Sequence, residues 1–184
     1  MAWIKITAPE EAQGELALSY RRLGAPPARL DQVLLVHSQR PHTLDAHMAL
    51  YRAVLHHPAN TLDTALAEAI GVRVSLLNQC SYCVAHHSRG LERALGDPDL
   101  ARFWLDVLNN CNLAEAFDGK QIAALEYAEL LTRSPGALGA ADVRMLRQAG
   151  WSDGEILEIN QVAAYFSYAN RTVLGLGASL DEEA

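Results

Sequence analysis

The chain has 184 residues, of which 50% are hydrophobic and 20% charged, and a formal net charge of −7 at pH 7. This length and composition are typical of a single globular domain, 1–184, that can fold without a disulfide or a metal. The acidic charge and the lack of a basic cluster argue against nucleic acid and anionic lipid as partners. No apolar run reaches the length of a membrane span and no leader is recognisable, so we expect a cytoplasmic protein.

Helical patterning dominates the sequence, because alanine is abundant and alternating β-branched runs are scarce. Breaks at glycine and proline delimit predicted helices at about 9–23, 28–39, 43–56, 61–78, 80–95, 99–109, 120–133, 140–148 and 153–174. The Ala25-Pro26-Pro27 stretch separates the first two. Asn60 or Thr61 is predicted to cap the fourth, with Asp63 in its first turn. The pattern predicts a compact all-α bundle of roughly eight or nine helices.

One stretch holds most of the reactive chemistry. Cys80 and Cys83 form a Cys-x-x-Cys pair, His87 follows four residues after Cys83, and Glu68 precedes Cys80 by twelve. A helix that begins at Cys80 would favour a thiolate there through its amide groups and dipole. His87 would lie on the same helix face as Cys83 and could exchange a proton with a thiol. Glu68 could orient the imidazole if the two helices fold back as a hairpin around Asn78-Gln79.

Other uses of the cysteine pair were weighed from the same residues. With His86 or His87 the pair could be half of a structural zinc site, but further ligands are needed and the remaining cysteine, Cys111, is isolated. Haem attachment requires a histidine directly after the second cysteine, where this chain has Val84. Cys111 is interpreted as a small buried residue. No cofactor and no metal are therefore expected.

The Glu-x11-Cys-x-x-Cys-x-x-x-His arrangement resembles that of the alkylhydroperoxidase D (AhpD)-like branch of the carboxymuconolactone decarboxylase superfamily, and above all its peroxidase-related members. Supporting similarity lies in Ala2-Trp3-Ile4, in Leu44-x-x-His47 and in 160–177, which includes Asn170-Arg171. One position departs from the pattern, because AhpD proteins often place a histidine just before the second cysteine and this chain has Tyr82.

The resemblance implies a compact AhpD-like helical bundle whose catalytic residues are Glu68, Cys80, Cys83 and His87. Proteins of this branch reduce hydroperoxides with the cysteine pair, are recharged by a dithiol donor and form homo-oligomers, as trimers or multiples of a smaller unit. The decarboxylases of the superfamily do not use such a pair. The aromatic-rich segment 165–171 is predicted to be core or a subunit interface.

The leading hypothesis is a thiol peroxidase that reduces a hydroperoxide substrate through Cys80 and Cys83 and is recharged by a dithiol reductant. In this scheme Cys80 is the more exposed sulfur that meets external partners, and Cys83 is the sulfur nearest His87. The alternatives are a thiol–disulfide oxidoreductase or redox sensor without peroxide turnover, and a non-catalytic oligomeric or zinc-stabilised domain. A lyase is the weakest rival. His47 is expected to be a surface or packed histidine, with a position near the site or at a subunit contact as the alternative, and Tyr82 either contacts substrate or fills a gap.

Overall fold

In the computed structural model, which describes residues 2–24, 26 and 30–179, all regular structure is helical. This part of the chain contains nine α-helices: α1 (Gly14–Leu23), α2 (Gln32–Leu35), α3 (Pro41–Leu55), α4 (Thr64–Leu77), α5 (Ser81–Leu95), α6 (Pro98–Asn110), α7 (Gly119–Arg133), α8 (Ala140–Gln148) and α9 (Asp153–Leu176). The all-α class predicted from the sequence is confirmed. None of these helices is long and apolar enough to cross a membrane.

The largest differences from the predicted helices lie near the N-terminus. Pro9–Glu11 forms a separate 3-10 turn, and extended backbone at Ala12 and Gln13 delays the start of α1 to Gly14. The second predicted helix is shorter than expected, because α2 is one turn that tightens into a 3-10 helix over Val36–Gln39. The predicted break at 25–27 lies outside the described residues except for Pro26, as do positions 28 and 29.

Helix α4 is the centre of the bundle. Every residue from 65 to 75 is buried, and the helix packs against α5, α6, α7 and α9. A helix that is apolar all round is typical of such a position. The predicted cap at Asn60 or Thr61 is wrong: Asp63 is the N-cap and accepts a hydrogen bond from the Leu66 amide at 3.0 Å. The Thr61 amide is instead bound by the Glu158 carboxylate of α9, which fixes the entry to the helix.

Three polar side chains are buried on α4, and each has a partner from another helix. Glu68 contacts His87 of α5, and Ser75 accepts a hydrogen bond from Asn170 of α9 at 3.1 Å. The Arg73 guanidinium pairs with a carboxylate on α7 and donates to a carbonyl at the end of α6, 2.9 Å away. A buried polar group without a partner costs several kcal/mol, so these contacts restrict how the neighbouring helices can dock.

The connection between α4 and α5 is a tight turn. The Cys80 amide donates to the Ser75 carbonyl at 2.9 Å and the Gln79 amide to the Leu76 carbonyl at 3.1 Å, with Gln79 in the left-handed region at a φ of 58°. This is the Schellman pattern of a helix end. Cys80 is at once the last residue of that turn and the N-cap of α5. The hairpin predicted around Asn78-Gln79 is therefore present, with α4 and α5 packed against each other.

The aromatic-rich segment of α9 belongs mainly to the core of the chain itself. Tyr165, Phe166 and Asn170 are buried, whereas Tyr168 and Arg171 of the same segment face outward. The outward face also carries Leu157 and Leu174, which are 60% and 43% exposed. The homo-oligomer expected from the family resemblance stays a prediction, and this face is the part of α9 left for it.

Replacement of Gln79 by glycine is predicted to stabilise the fold. The left-handed conformation costs an L-residue about 1 kcal/mol and costs glycine little, so Gln79→Gly should raise the free energy of unfolding by up to about 1 kcal/mol. Urea denaturation measures this. Ser81→Gly is the matched control, because Ser81 is exposed and begins α5 in ordinary helical geometry, where glycine should destabilise. A loss of stability in Gln79→Gly would contradict this description of the turn.

Candidate active site

The two thiols of the Cys-x-x-Cys pair are in contact. Both cysteines are free, and their Sγ atoms lie 2.8 Å apart. The prediction that Cys80 is the more exposed sulfur is wrong, because Cys80 is fully buried and Cys83 retains 5% exposure. Both cysteines belong to a small apolar cluster with Val36 and Val173, Cys80 from the N-cap position and Cys83 from one turn further along α5.

The contact between the thiols changes how readily they ionise. A hydrogen bond from the Cys83 thiol lowers the pKa of Cys80 to about 7, against the opposing effect of burial. The same bond, together with burial, raises the pKa of Cys83. The pair therefore loses one proton near neutral pH and holds the second strongly, as expected for two acids that share one site.

Glu68 and His87 form a buried pair behind the thiols. The Glu68 Oε2 and His87 Nδ1 atoms are 2.7 Å apart, with both residues less than a tenth exposed. The carboxylate fixes the orientation of the imidazole and leaves Nε2 as the nitrogen available for proton transfer. The Phe166 ring meets the imidazole edge-on, with centroids 4.4 Å apart. The contact between these two side chains, expected from the sequence if the helices form a hairpin, is made by the α4–α5 hairpin.

Gly90 makes room for the carboxylate. A Cβ atom at this position would lie 2.5 Å from Glu68 Oε1, closer than van der Waals contact allows. Glu68 and Gly90 are each eleven positions from Gln79, so an antiparallel hairpin centred on the turn brings them face to face. The glycine is therefore part of the site, although it carries no functional group.

Asn170, a residue of α9, connects this helix to the α4–α5 turn and to the thiols. Its side chain accepts a hydrogen bond from the Asn78 amide group at 2.9 Å and donates one to Ser75 at 3.1 Å. It also bonds to Cys83, where it acts to lower the pKa of the thiol against the stronger effects that raise it. Asn170 is completely buried, so its network fixes the turn relative to α9. The sequence indicated this residue only through the family resemblance.

Cys83 and His87 reach a cavity of about 190 Å³, whereas Cys80 and Glu68 lie behind them and do not line it. The walls are mainly apolar and come from α1, α2, α3 and α9, including Leu23, Leu34, Met48 and Val173, together with the acidic Asp31. His47, Tyr51, His86 and Tyr165 line the same space. A thiol and an imidazole thus share a mostly apolar, partly open cavity, which is the usual form of a small-molecule site.

Tyr82 occupies the position where AhpD proteins often have a histidine, and it serves a packing role. Its hydroxyl accepts a hydrogen bond from the Val33 amide at 3.3 Å, which holds α2 over the site. Its ring stacks on His86, with centroids 6.4 Å apart and planes within 7°. Burial lowers the pKa of His86. Tyr82 also lines the cavity, so both roles predicted for it, contact with a substrate and filling of a gap, are compatible with this geometry.

Two further residues extend the site beyond the sequence prediction. His47, expected to be a surface or packed histidine, is buried and lines the cavity, and Tyr165 lies beside it. Their only sequence signals were the Leu44-x-x-His47 similarity and the aromatic spacing of α9. Cys111, by contrast, is exposed and not buried as predicted, because α6 ends there in a left-handed turn. Among the described residues no group of three or more metal-binding side chains is arranged to hold an ion.

The pKa of the thiol pair provides a direct test of the sulfur contact. Thiolate, followed by its ultraviolet absorbance, should appear as pH rises through about 7, well below the ordinary thiol value of 9.0. In Cys83→Ala the donor to Cys80 is lost, so the titration of Cys80 should move upward toward 9.0. Cys111→Ser is the background for both proteins, because it removes the exposed third thiol. A titration that Cys83→Ala leaves unchanged would show that Cys83 does not stabilise the thiolate.

The close approach of Gly90 to Glu68 predicts that substitutions at these two positions have non-additive effects on the free energy of unfolding. Gly90→Ala should lower the free energy of unfolding by about 1–3 kcal/mol, because the added methyl group displaces the carboxylate. In a Glu68→Ala background the same change should cost much less, since the obstructing group is absent. Urea denaturation of the four proteins measures the coupling. Gly175→Ala is the control, as nothing lies within 4 Å of a Cβ at that helical position; equal costs in both backgrounds would refute the contact.

Comparison with known proteins agrees with this architecture. The carboxymuconolactone decarboxylase family model matches residues 41–129, which include the whole Glu68–His87 constellation. No curated protein matches the sequence. The solved structure of an uncharacterized peroxidase-related protein with an alkylhydroperoxidase AhpD core, from Ralstonia eutropha JMP134, is 22% identical with a TM-score of 0.83, over 99% of this chain and 93% of that one.

Two other solved structures have the same fold. An uncharacterized peroxidase-related protein from Silicibacter sp. TM1040 is 26% identical with a TM-score of 0.76, over 97% of this chain and 89% of that chain. The debrominase Bmp8, in complex with 2,3,4-tribromopyrrole, is 18% identical with a TM-score of 0.77, over 98% of this chain and 92% of its own. Residues 41–129 thus match the carboxymuconolactone decarboxylase family model, and the chain as a whole is similar in fold to AhpD-like and peroxidase-related proteins.

Proposed function

We propose that this protein is a thiol-dependent peroxidase that reduces hydroperoxides with Cys83 and Cys80. The observation that carries the proposal is that the Cys83 thiol lines a cavity while the Cys80 sulfur lies 2.8 Å from it, away from the cavity. His87 lines the same cavity and is oriented by Glu68. A nucleophile, a second thiol and an oriented base are the parts that a dithiol peroxidase needs.

The first half of the cycle breaks the peroxide bond. The pair gives one proton to His87, and the remaining proton can reside on either sulfur because the two are in contact. With the negative charge on Cys83, its sulfur attacks the terminal oxygen of R–O–OH. The O–O bond breaks, Cys83 becomes a sulfenic acid, and the departing RO⁻ takes the proton from His87 to leave as an alcohol.

The second half closes the disulfide. The Cys80 sulfur attacks the Cys83 sulfur, loses its proton, and expels the hydroxyl group of the sulfenic acid as water. The net change is two thiols and one hydroperoxide converted to one disulfide, one alcohol and one water. A dithiol reductant then attacks the sulfur that faces the cavity, Cys83, and restores both thiols by exchange. We propose this order of roles because Cys80 is fully buried.

A second candidate keeps the disulfide chemistry and omits peroxide. The lowered pKa of Cys80 would equally serve a thiol–disulfide oxidoreductase or a redox sensor. The fold itself does not choose between them, since a debrominase shares it and one fold commonly hosts several chemistries. The peroxidase is preferred because the cavity admits a small molecule to Cys83 beside a general base, which disulfide exchange between proteins does not require.

The test is steady-state consumption of cumene hydroperoxide and hydrogen peroxide with dithiothreitol as the reductant. We expect turnover by the wild type, and loss of nearly all of it in Cys83→Ser and in Cys80→Ser, because each removes one member of the disulfide. Cys111→Ser is the matched control and should retain full activity, since this cysteine is exposed and remote from the pair.

The outcomes separate the candidates. Turnover that survives both active-site substitutions would refute the peroxidase cycle. A disulfide that forms and exchanges with dithiothreitol, without peroxide consumption above that of free dithiothreitol, would favour the oxidoreductase or sensor. For Cys83→Ser in the Cys111→Ser background, Cys80 is the one thiol left, and its trapping with iodoacetamide should be slow, because the fully buried Cys80 does not line the cavity.

A further inference from the structure

The cavity beside Cys83 has a second polar feature that the peroxidase cycle does not use. The Tyr165 hydroxyl and the His47 Nε2 atom lie 3.4 Å apart, and the two rings are 5.8 Å apart between centroids. Both residues line the cavity although each is at least 95% buried. The other ring nitrogen of His47, Nδ1, is buried and has no hydrogen-bond partner.

The hydrogen bond between His47 and Tyr165 uses only one of the two donors of this pair. Burial, with a smaller effect of the neighbouring His37, lowers the pKa of His47 to about 4, so its imidazole is neutral near pH 7 and carries one proton. If that proton were on Nδ1, a buried N–H group would have no acceptor, which is rarer in proteins than an unpaired acceptor. The proton therefore belongs on Nε2, which donates to the Tyr165 oxygen. The phenolic proton of Tyr165 is then free to bond to a ligand.

Tyr165 is suited to donate rather than to accept a proton. Burial, followed by nearby ionisable groups that include Tyr51 and Cys83, raises the pKa of its phenol. The group stays protonated when Cys83 becomes a thiolate. A neutral donor in a mostly apolar chamber stabilises negative charge that develops on a substrate oxygen more strongly than a donor in water would.

The side chains that line the cavity indicate which class of hydroperoxide it binds. Leu23, Leu30, Leu34, Met48 and Val173 surround the space next to the reactive groups. Hydrogen peroxide has no apolar part to bury against these side chains, whereas an organic hydroperoxide gains free energy in proportion to the apolar surface removed from water.

We propose that the Tyr165 hydroxyl, positioned by His47, donates a hydrogen bond to the departing oxygen of an organic hydroperoxide whose apolar body occupies this cavity. The proposal rests on the peroxidase function proposed above. When the Cys83 sulfur attacks the terminal oxygen and the O–O bond breaks, the electron pair of that bond stays on RO⁻. Tyr165 stabilises this charge and keeps its own proton, while His87 supplies the proton that completes the alcohol.

Tyr165→Phe is the decisive variant, because it removes the hydroxyl and preserves the ring. With cumene hydroperoxide and saturating dithiothreitol, its kcat/KM should fall about 10- to 100-fold, the usual effect of losing one donor to a developing oxyanion. In the Cys111→Ser background, alkylation of the active-site thiols by iodoacetamide should proceed at the same rate with and without Tyr165→Phe, since that reaction has no oxygen leaving group. Equal peroxide kinetics in Tyr165→Phe and wild type would overturn the proposal.

Tyr168→Phe is the matched control. Tyr168 lies on the same helix and its ring also contacts His47, with centroids 5.8 Å apart, but it is 40% exposed and does not line the cavity. Its kcat/KM should be unchanged. A loss equal to that of Tyr165→Phe would mean that packing around His47, and not the Tyr165 hydroxyl, supports the reaction.

His47 is a positioning residue, and its role is tested by rescue. His47→Leu removes the group that donates to Tyr165 and should lower kcat/KM for cumene hydroperoxide several-fold. His47→Gln places an amide N–H near the same point and should recover part of the loss. If both variants were equally impaired, a hydrogen-bonding role for His47 would be refuted, whatever their thermal stability.

The substrate class is tested on the wild type alone. The kcat/KM for cumene hydroperoxide should exceed that for hydrogen peroxide by at least about tenfold, because the apolar body is buried on binding. A preference for hydrogen peroxide would overturn the assignment of an organic substrate. If the wild type consumed neither peroxide, the peroxidase function itself would fail; normal wild-type turnover with an unimpaired Tyr165→Phe would remove only the role of Tyr165.

Discussion

The site depends on the turn that joins α4 to α5. Because the Cys80 amide closes the end of α4 by bonding to Ser75, the chain reverses within a few residues and α5 begins at once with Cys80 as its N-cap. That single constraint sets the register of the hairpin. It brings Glu68 against His87 and Gly90, and it leaves Cys80 beneath α5 while Cys83 faces the cavity. A longer loop would allow other registers in which these contacts are absent.

A buried carboxylate and imidazole are costly unless their geometry is closely specified. Here the positions of both groups are fixed by packing. Gly90 leaves space for the Glu68 carboxylate, and the Phe166 ring contacts the imidazole of His87. Phe166 is itself held by a close approach to Gly71, where a Cβ atom would lie 2.3 Å from the ring. Two glycines, which carry no chemistry, thus determine where the acid–base pair can lie.

The more acidic thiol of the pair and the more accessible thiol are two different residues. The pKa is lowered at Cys80, which is sealed in an apolar cluster, and the cavity is reached by Cys83. In the proposed cycle, direct contact between the sulfurs reconciles the two properties, since the proton that the pair retains can move across 2.8 Å and leave the charge on the accessible sulfur.

The sequence by itself determined the helical class, most helix boundaries from α3 onward, and the four residues Glu68, Cys80, Cys83 and His87, because glycine and proline breaks and fixed spacings are local signals. It predicted the wrong exposed sulfur and a buried Cys111, because exposure depends on what packs against a side chain from elsewhere in the chain. The cavity, and with it the site roles of His47 and Tyr165, exists only where α1, α2, α3, α5 and α9 meet. Residues 118 positions apart become neighbours there, and no local pattern encodes such a contact. Tertiary packing alone decided which thiol a substrate can reach and which side chains surround it.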